Sequence, residues 1–251
     1  MHLEEISNYW DKRAEGYSLS INAEFENETR DLWIKKLEKN RPTQEKMKCL
    51  ELGCGPGFLS ILLAIDGNDV TSVDCSDEML FRAGENAKNM GVDLDLRKMD
   101  VQSLDFEDNT FDMLVTRNVT WILEEPEKAY KEWLRVLKPG GRLLINDGNH
   151  YLFYYNERYA KFRELKRKQL GDKPHKFMLG VDPKPIDDIA RDMPLSKIER
   201  PGWDVDIFTK LGASEINVVP ALGMLKDDAG EEVKIINFFD ICVTKARDNK
   251  A

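Results

Sequence analysis

The sequence predicts an α/β fold in three layers, with helices on both faces of a mostly parallel sheet. From Met47 onward, short apolar runs typical of buried strands alternate with helical patterns, as expected of such a sheet. The apolar run 47–52 leads into a glycine-rich turn, and the apolar run 58–65 behind it suits a buried helix. Later, strands predicted over 214–219 and 235–245 have no helical pattern between them, which indicates an antiparallel hairpin completing the sheet.

The other elements follow in order along the chain. A second strand over 69–74 precedes a helix that Ser76 is suited to cap and that Gly91 is suited to end. Further strands are expected over 94–99, 111–116 and 142–146, and further helices over 126–137 and 203–211. The segment 138–141, Lys-Pro-Gly-Gly, predicts a turn.

Two segments fall outside this alternation. Residues 1–45 are polar and charged with helical spacing, which predicts a helical arm or cap in front of a main domain over 46–251. Within that domain, residues 148–202 carry aromatics, charges and prolines, which indicates an inserted cap that includes a basic helix over 155–169.

Composition excludes several classes of protein. A net charge of −9 without a long basic tract disfavours nucleic-acid binding. No apolar run approaches the ~20 residues of a membrane span, and the acidic start lacks an apolar signal region, so we expect a cytoplasmic protein. The cysteines, Cys49, Cys54, Cys75 and Cys242, form no Cys-x-x-Cys pair and are expected to be reduced thiols, with no metal site.

The glycine turn indicates a ligand. Gly53, Gly55 and Gly57 follow a buried strand and let a ligand approach bare backbone, and Asp74 ends the second strand, where a carboxylate can accept both hydroxyls of a ribose. An adenosine-containing cofactor is therefore expected. A dinucleotide turn requires its third glycine one residue later, at the position of Phe58.

The pattern Glu51-x-Gly53-x-Gly55-x-Gly57 resembles the first motif of class I S-adenosylmethionine (SAM) dependent methyltransferases of the small-molecule type. Further resemblances are Asp100-Val101, the run 111–115 and the Leu-Lys-Pro-Gly-Gly-Arg-Leu run 137–143. They cover about 47–147 and the last forty residues, but not the insertion. The resemblance implies a Rossmann-like seven-stranded sheet with an antiparallel terminal strand, and SAM as cofactor with S-adenosylhomocysteine as product.

The resemblance also implies a set of cofactor-binding residues. The turn, with Cys54, would face SAM, Asp74 would hold the ribose, and Asp100 with the Val101 amide would meet the adenine. Glu51 would either support the turn or receive the ammonium group through water. The remaining candidates are adenine neighbours, residues after the fourth strand, and arm residues: Cys75, Met79, Arg117, Asn118, Trp121, Tyr9 and Tyr17.

Methyl transfer is an in-line displacement that needs alignment and exclusion of water more than catalytic side chains. Should the acceptor need a base, the candidates are Asp147, His150 and Tyr151, just beyond the fifth strand.

The acceptor is expected to be a small molecule. Methylation of exocyclic base amines usually uses Asn/Asp-Pro-Pro-Tyr/Phe after the fourth strand, where this chain has Thr-Arg-Asn-Val at 116–119. Cytosine C5 methylation uses a Pro-Cys nucleophile, and this sequence has no Pro-Cys dipeptide. The basic stretch 163–168 is either a site for an anionic substrate or a solvated helix face. Aromatic and apolar residues of the insertion are candidates for lining the pocket: Phe153, Tyr154, Tyr155, Tyr159, Phe162, Phe177 and Met178.

Two other functions stay open at this point. A SAM- or nucleoside-binding sensor without transfer activity would share the same motifs, because no obligatory catalytic residue exists. An NAD-linked oxidoreductase is disfavoured by the glycine spacing and the terminal hairpin. The sequence leaves open the acceptor, the atom methylated and the oligomeric state.

Overall fold

The structure is a computed structural model that describes residues 2–171 and 176–247. Its sheet has seven strands in the order β3-β2-β1-β4-β5-β7-β6. Strands β1 to β5 are parallel, and β7 runs antiparallel to both β5 and β6. The strands are β1 Lys48–Leu52, β2 Asp69–Asp74, β3 Asp95–Lys98, β4 Phe111–Arg117, β5 Leu137–Gly148, β6 Ala213–Lys226 and β7 Glu232–Lys245. The predicted sandwich and its antiparallel hairpin are confirmed.

Helices cover both faces of this sheet. They are α1 Leu3–Phe25, α2 Glu28–Asn40, α3 Phe58–Ile65, α4 Asp77–Asn89, α5 Pro126–Val136, α6 Glu157–Leu170, α7 Lys184–Asp192 and α8 Gly202–Lys210. Short 3-10 turns lie at Thr120–Ile122, Leu152–Tyr154 and Pro194–Ser196. No helix within the described ranges is both long and apolar enough to cross a bilayer.

The core follows the two-residue period of the strands. In β1, Leu50 and Leu52 face a cluster with Trp133 of α5, whereas Cys49 faces a cluster with Phe58 of α3. Strand order reverses between β1 and β4, since the chain goes from β1 to β2 and β3 on one side and continues with β4 on the other. Such a reversal opens a crevice at the carboxyl edge of the sheet.

The predicted turn at 138–141 lies inside β5. Leu137 pairs with Phe111, and pairing resumes between Arg142 and Met113, so the intervening residues form an irregularity in a longer strand. Gly140 has a φ of +79°, and a Cβ on Gly141 would lie 2.8 Å from the Asp112 carbonyl oxygen. The strand can therefore continue through this tight passage because glycine stands there.

Several boundaries also differ. Strands β6 and β7 each have 14 residues, more than predicted. Strand β6 is the edge strand of the sheet, which tolerates the polar residues and Pro220 that break the pattern. Helix α7 was not predicted, whereas α6 and α8 were. Ser76 caps α4 as predicted, with its hydroxyl accepting from the Met79 amide at 3.1 Å.

Candidate functional site

The glycine turn lies at the crevice. Gly53 has a φ of +67°, and a Cβ there would lie 2.5 Å from a methyl carbon of Val119. The amides of Gly53 and Cys54 donate to the Val73 carbonyl at 2.8 and 2.9 Å. The turn is thus fixed to the end of β2 and packed under the segment after β4.

Asp74 fastens the same turn. One carboxylate oxygen accepts from the Gly55 amide at 2.8 Å and the other from the Ser76 amide at 3.0 Å. Burial raises the pKa of Asp74, and these backbone donors oppose that rise. Carboxylate oxygens have further lone pairs, so Asp74 can still accept from a ligand in the crevice.

A cavity of about 770 Å³, including its open mouth, lies beside this turn. That volume is within the ~300–1,000 Å³ typical of ligand pockets. Most of the predicted cofactor residues line it: Gly53, Gly55, Asp74, Cys75, Met79, Asp100, Val101, Arg117, Asn118 and Tyr17.

Glu51 lies beneath the turn and does not line the cavity. Only 3% of it is exposed, and its carboxylate accepts from the Ser60 amide at 2.7 Å and from the Ser60 hydroxyl. Burial raises its pKa to about 8. Of the two interpretations of Glu51, the position supports the structural one, because the carboxylate holds the first turn of α3.

Cys54 and Gly57 also lie outside the cavity lining, contrary to expectation. The buried Cys54 thiol lies 3.4 Å from the Gly55 carbonyl oxygen, to which it donates. A Cβ on Gly57 would lie 3.2 Å from that of Ala83, so this glycine lets α3 and α4 approach each other.

Tyr9 and Trp121 are likewise not part of this cavity. Tyr9 packs in an apolar cluster with Ile6 and Ile186, as a core residue of the arm. Trp121 donates from Nε1 to the Asn118 carbonyl at 2.8 Å, and its ring lines a second cleft instead.

Sequence reasoning missed part of the lining. Leu3, Ile6 and Trp10 of α1 face the cavity together with the predicted Tyr17, and their spacing on one helix face is a signal that could have identified them. The others, which lie after β3 and β4, gave no comparable signal: Met99, Gln102, Val119, Ile122, Leu123 and Glu124.

Helix α1 is fastened over the cavity by polar contacts. The Ser7 hydroxyl donates to the Cys75 carbonyl at 2.9 Å, and the Ser76 hydroxyl donates to Asp11 at 2.5 Å. Arg13 donates to the Phe177 carbonyl at 2.9 Å. The arm therefore binds both the start of α4 and the insertion.

A second cleft adjoins the cavity. Trp10, Tyr17 and Asn118 line both spaces and so form their common wall. The remaining lining comes from the 3-10 turn after β4, the segment after β5, α6 and α7: Trp121, His150, Tyr151, Phe153, Arg163 and Asp187.

Of the aromatic and apolar residues expected to line an acceptor pocket, Phe153 does so. Tyr159 and Phe162 instead pack against Val233 and Ile235 of β7, because the face of α6 that carries them is buried against that strand. The others stack on neighbours, lie at the surface, or contact Arg13 through backbone carbonyls: Tyr154, Tyr155, Phe177 and Met178.

His150, one of the three proposed bases, lines the second cleft, and 26% of its side chain is exposed. Its Nε2 lies 3.1 Å from Asp147. Asp147 is fully buried and accepts from the Thr120 amide and hydroxyl. Burial would raise the pKa of Asp147, but the His150 ring and the Arg200 charge hold it below its usual range. Asp147 is therefore enclosed by protein and lies against the His150 ring.

Tyr151 is not suited to act as a base. Its hydroxyl donates to Asp187 at 2.9 Å. Burial and the Asp187 charge raise its pKa above the usual range, so the phenol keeps its proton.

No group of three or more His, Cys, Asp or Glu side chains within 2–171 and 176–247 is arranged to hold a metal ion.

The strand order, the antiparallel β7 and a cavity built on a glycine turn with Asp74 define a class I, Rossmann-like methyltransferase fold. Residues 50–145 match the family described as a methyltransferase domain. Residues 50–145 are therefore similar to methyltransferase domains, in agreement with the resemblance of the sequence motifs.

Curated relatives are similar to parts of the chain. A phosphatidylethanolamine N-methyltransferase from Cereibacter sphaeroides is 41% identical over 41% of this chain and 51% of its own length. A ubiquinone/menaquinone biosynthesis C-methyltransferase from Bdellovibrio bacteriovorus is 32% identical over 57% of this chain and 61% of its own length. The chain thus spans only half to three-fifths of these two relatives.

The fold also matches solved structures. A SAM-dependent methyltransferase from Methanosarcina mazei superimposes with a TM-score of 0.54 over 85% of this chain and 98% of the other, at 20% identity. At that sequence identity, the match supports the fold and nothing further.

Proposed function

We propose that this protein transfers a methyl group from SAM to a small-molecule acceptor. The observation that carries the proposal is the common wall of Trp10, Tyr17 and Asn118 between the two spaces. The two spaces adjoin at these residues, so a donor in the first cavity and an acceptor in the second cleft would lie next to each other, as an in-line displacement requires. The relatives are named for transfer to nitrogen and to carbon, so the atom methylated is a separate question.

The residues of the first cavity fit SAM. The Gly55 backbone lies against the Tyr17 ring, since a Cβ there would lie 3.4 Å from it, and both residues line the cavity in which SAM would lie. Asp74 would accept from ribose hydroxyls and Asp100 from the adenine amine. SAM supplies the activated methyl group on its sulfonium sulfur.

Arg117 would contribute through its backbone. Its guanidinium donates to Glu24 at 2.7 and 3.2 Å and lies over the rings of Phe58 and Trp33. The side chain is thus committed to the arm and the core, while the strand end next to Asn118 faces the cavity.

His150 would accept a proton from an oxygen or nitrogen nucleophile, and Asp147 would hold its ring. The remaining contribution is exclusion of water, for which α1 and the 148–202 segment would serve as cap. We also propose a cytoplasmic location, because the four cysteines are all free thiols.

Calorimetry with SAM, S-adenosylhomocysteine and NAD tests the cofactor. We expect SAM and its product to bind and NAD not to bind. Asp74→Ala should weaken SAM binding by about tenfold or more, because it removes a charged hydrogen-bond acceptor. The control is Asp77→Ala, which removes an exposed carboxylate on the same helix end.

Incubation with labelled SAM and a metabolite extract then tests transfer. A labelled small molecule supports the proposal. SAM binding with no labelled product from any extract would favour the sensor function, and NAD binding without SAM binding would overturn the proposal.

A further inference from the structure

We propose that the acceptor is a flat aromatic compound that carries an anionic group bound by Arg163 and, at its other end, a hydroxyl group that is methylated. This inference rests on the proposed function and names the acceptor class of the second cleft.

The wall of the cleft is made of aromatic rings. The ring centroids of Trp121 and Tyr151 are 5.1 Å apart at 35°, and those of Tyr151 and Phe153 are 6.2 Å apart at 35°. His150 meets Trp121 edge to face at 6.2 Å. Since rings prefer offset or edge-to-face contact with other rings, this wall favours a flat ring over an aliphatic chain.

Arg163 supplies a cation at this wall. Its guanidinium lies 3.6 Å from the centroid of the Phe153 ring. Among the residues that the structure describes, no carboxylate pairs with it. Because the ring holds the face of the guanidinium, the N–H groups along its edge are free to donate to a carboxylate in the fork geometry typical of arginine.

Asp187 is the opposing charge in the same cleft and would favour a cationic acceptor. Its carboxylate, however, already accepts from the Tyr151 hydroxyl at 2.9 Å. Within the described ranges Arg163 has no carboxylate partner, whereas an oxygen of Asp187 is already occupied by the Tyr151 hydroxyl, so we assign the charged end of the acceptor to Arg163.

The two spaces also set the orientation. Arg163 lines the cleft but not the cofactor cavity, whereas Tyr17 and Asn118 line both. The charged end of the acceptor therefore lies away from the methyl donor, and its reacting end lies toward the common wall.

The step balances with His150 as base. The phenolic oxygen forms a bond to the methyl carbon, the carbon–sulfur bond breaks with its electron pair going to sulfur, and the phenolic proton passes to the imidazole. The products are a methyl ether, S-adenosylhomocysteine and a protonated His150.

The test uses three matched sets of probes: the 2-, 3- and 4-hydroxybenzoates, their methyl esters, and the corresponding hydroxybenzylamines. Each ring then carries an anionic, a neutral or a cationic group. Product formation is measured with SAM and either the unmodified 251-residue chain or its variants Arg163→Gln and Arg163→Lys. Lys168→Gln is the control, because it removes a charge from α6 at a residue paired with Glu164 and outside the cleft.

We expect at least one hydroxybenzoate to be methylated with a kcat/KM at least about tenfold above its ester, in line with a charged hydrogen bond. Arg163→Gln should raise KM for the acid by about tenfold, change kcat little, and leave the ester unaffected; Arg163→Lys should restore part of the loss. The control should resemble the unmodified protein.

Preference for the amine, or an equal effect of Arg163→Gln on all three probes, would overturn the inference. Calorimetry of hydroxybenzoate binding in the presence of S-adenosylhomocysteine gives a second readout. If S-adenosylhomocysteine binds but no hydroxybenzoate binds or reacts, the acceptor class is wrong and the proposed function stands. If S-adenosylhomocysteine does not bind, the proposed function itself fails.

Discussion

At the residue scale, Glu51 is an acid in a place that favours its neutral form. It is buried beneath the glycine turn, and its pKa of about 8 lies well above the ordinary 4.5. Its partner Ser60 also shares a hydrogen bond of 2.6 Å with Ser72. The carboxyl group therefore belongs to a buried polar network that joins β1, α3 and β2.

This burial predicts how stability depends on pH. Between about 4.5 and 8 the folded protein keeps a proton on Glu51 that the unfolded chain releases. The free energy of unfolding should therefore fall as pH rises through this window, by up to about 1.4 kcal/mol per pH unit from this group. Urea denaturation at several pH values measures the slope.

Glu51→Gln separates this effect from the other titrating groups. The amide oxygen of glutamine can still accept from Ser60, but the side chain does not titrate. The stability of the variant relative to the unmodified protein should increase as pH rises from 5 to 8. A difference that is constant with pH would contradict the raised pKa.

His150 and Asp147 allow a second prediction at this scale. His150→Gln should lower kcat by about 10²-fold or more, the usual contribution of a general base, and leave SAM affinity unchanged. Asp147→Asn should lower kcat less and move the pH profile of kcat, because Asp147 acts through the imidazole. An Asp147 variant that changes only stability would reduce that residue to a structural role.

At the scale of the elements, α1 both lines the first cavity and contacts the start of α4. Asp11 accepts from the Ser76 hydroxyl at 2.5 Å, and the same hydroxyl accepts from the Met79 amide to cap α4. The arm and the first turn of α4 are therefore coupled through one side chain.

Asp11→Ala should loosen the arm. We expect S-adenosylhomocysteine to dissociate several-fold faster and the amides of 3–25 to exchange faster, since an open arm no longer covers the cavity. Stopped-flow displacement and hydrogen exchange measure the two effects. Glu15→Ala is the control, because it removes an exposed acid from the same helix; an equal effect of both variants would show that charge, and not the contact, is responsible.

The elements that sequence predicts well are those set by local chemistry. The backbone angles of the glycine turn and the Ser76 cap each depend on residues within a few positions, whereas the hydrogen bond that joins Gly55 to Asp74 spans 19 positions. What sequence could not give depends on distant partners. Gly57 faces Ala83, and Trp121 lines the cleft that α6 and α7 complete, so neither role is visible in their own segments.

At the scale of the whole molecule, a buried polar network joins elements far apart in sequence. Arg200 donates from Nη1 to the Thr120 hydroxyl at 2.6 Å, from Nη2 to the Tyr130 hydroxyl at 3.0 Å, and from Nε to Asp204 at 2.9 Å. Asp147 lies 3.9 Å from the same guanidinium. The network thus connects the 3-10 turn after β4 with α5, β5 and α8, and it includes Thr120, next to Trp121, and Asp147, which contacts His150.

This network predicts strong energetic coupling. Arg200 is 1% exposed and Asp204 is 0% exposed. Arg200→Met or Asp204→Leu alone leaves a buried charge without its partner, so each should lower the free energy of unfolding by about 3–5 kcal/mol. The double variant removes both charges and should cost much less than the sum. Urea denaturation of the four proteins gives the coupling energy.

The exposed pair of Arg158 and Glu199, 2.6 Å apart, is the matched control, and Arg158→Met should cost no more than about 1 kcal/mol. If the effects of Arg200→Met and Asp204→Leu on the free energy of unfolding simply added in the double variant, the network would be a set of independent contacts. The double variant could show energetic coupling and still lose methyl transfer. In that case the two charges would matter more for the placement of Trp121 and His150 than for the stability of the fold. Such a result is expected here, because methionine and leucine can fill the space but cannot hold the Thr120 hydroxyl.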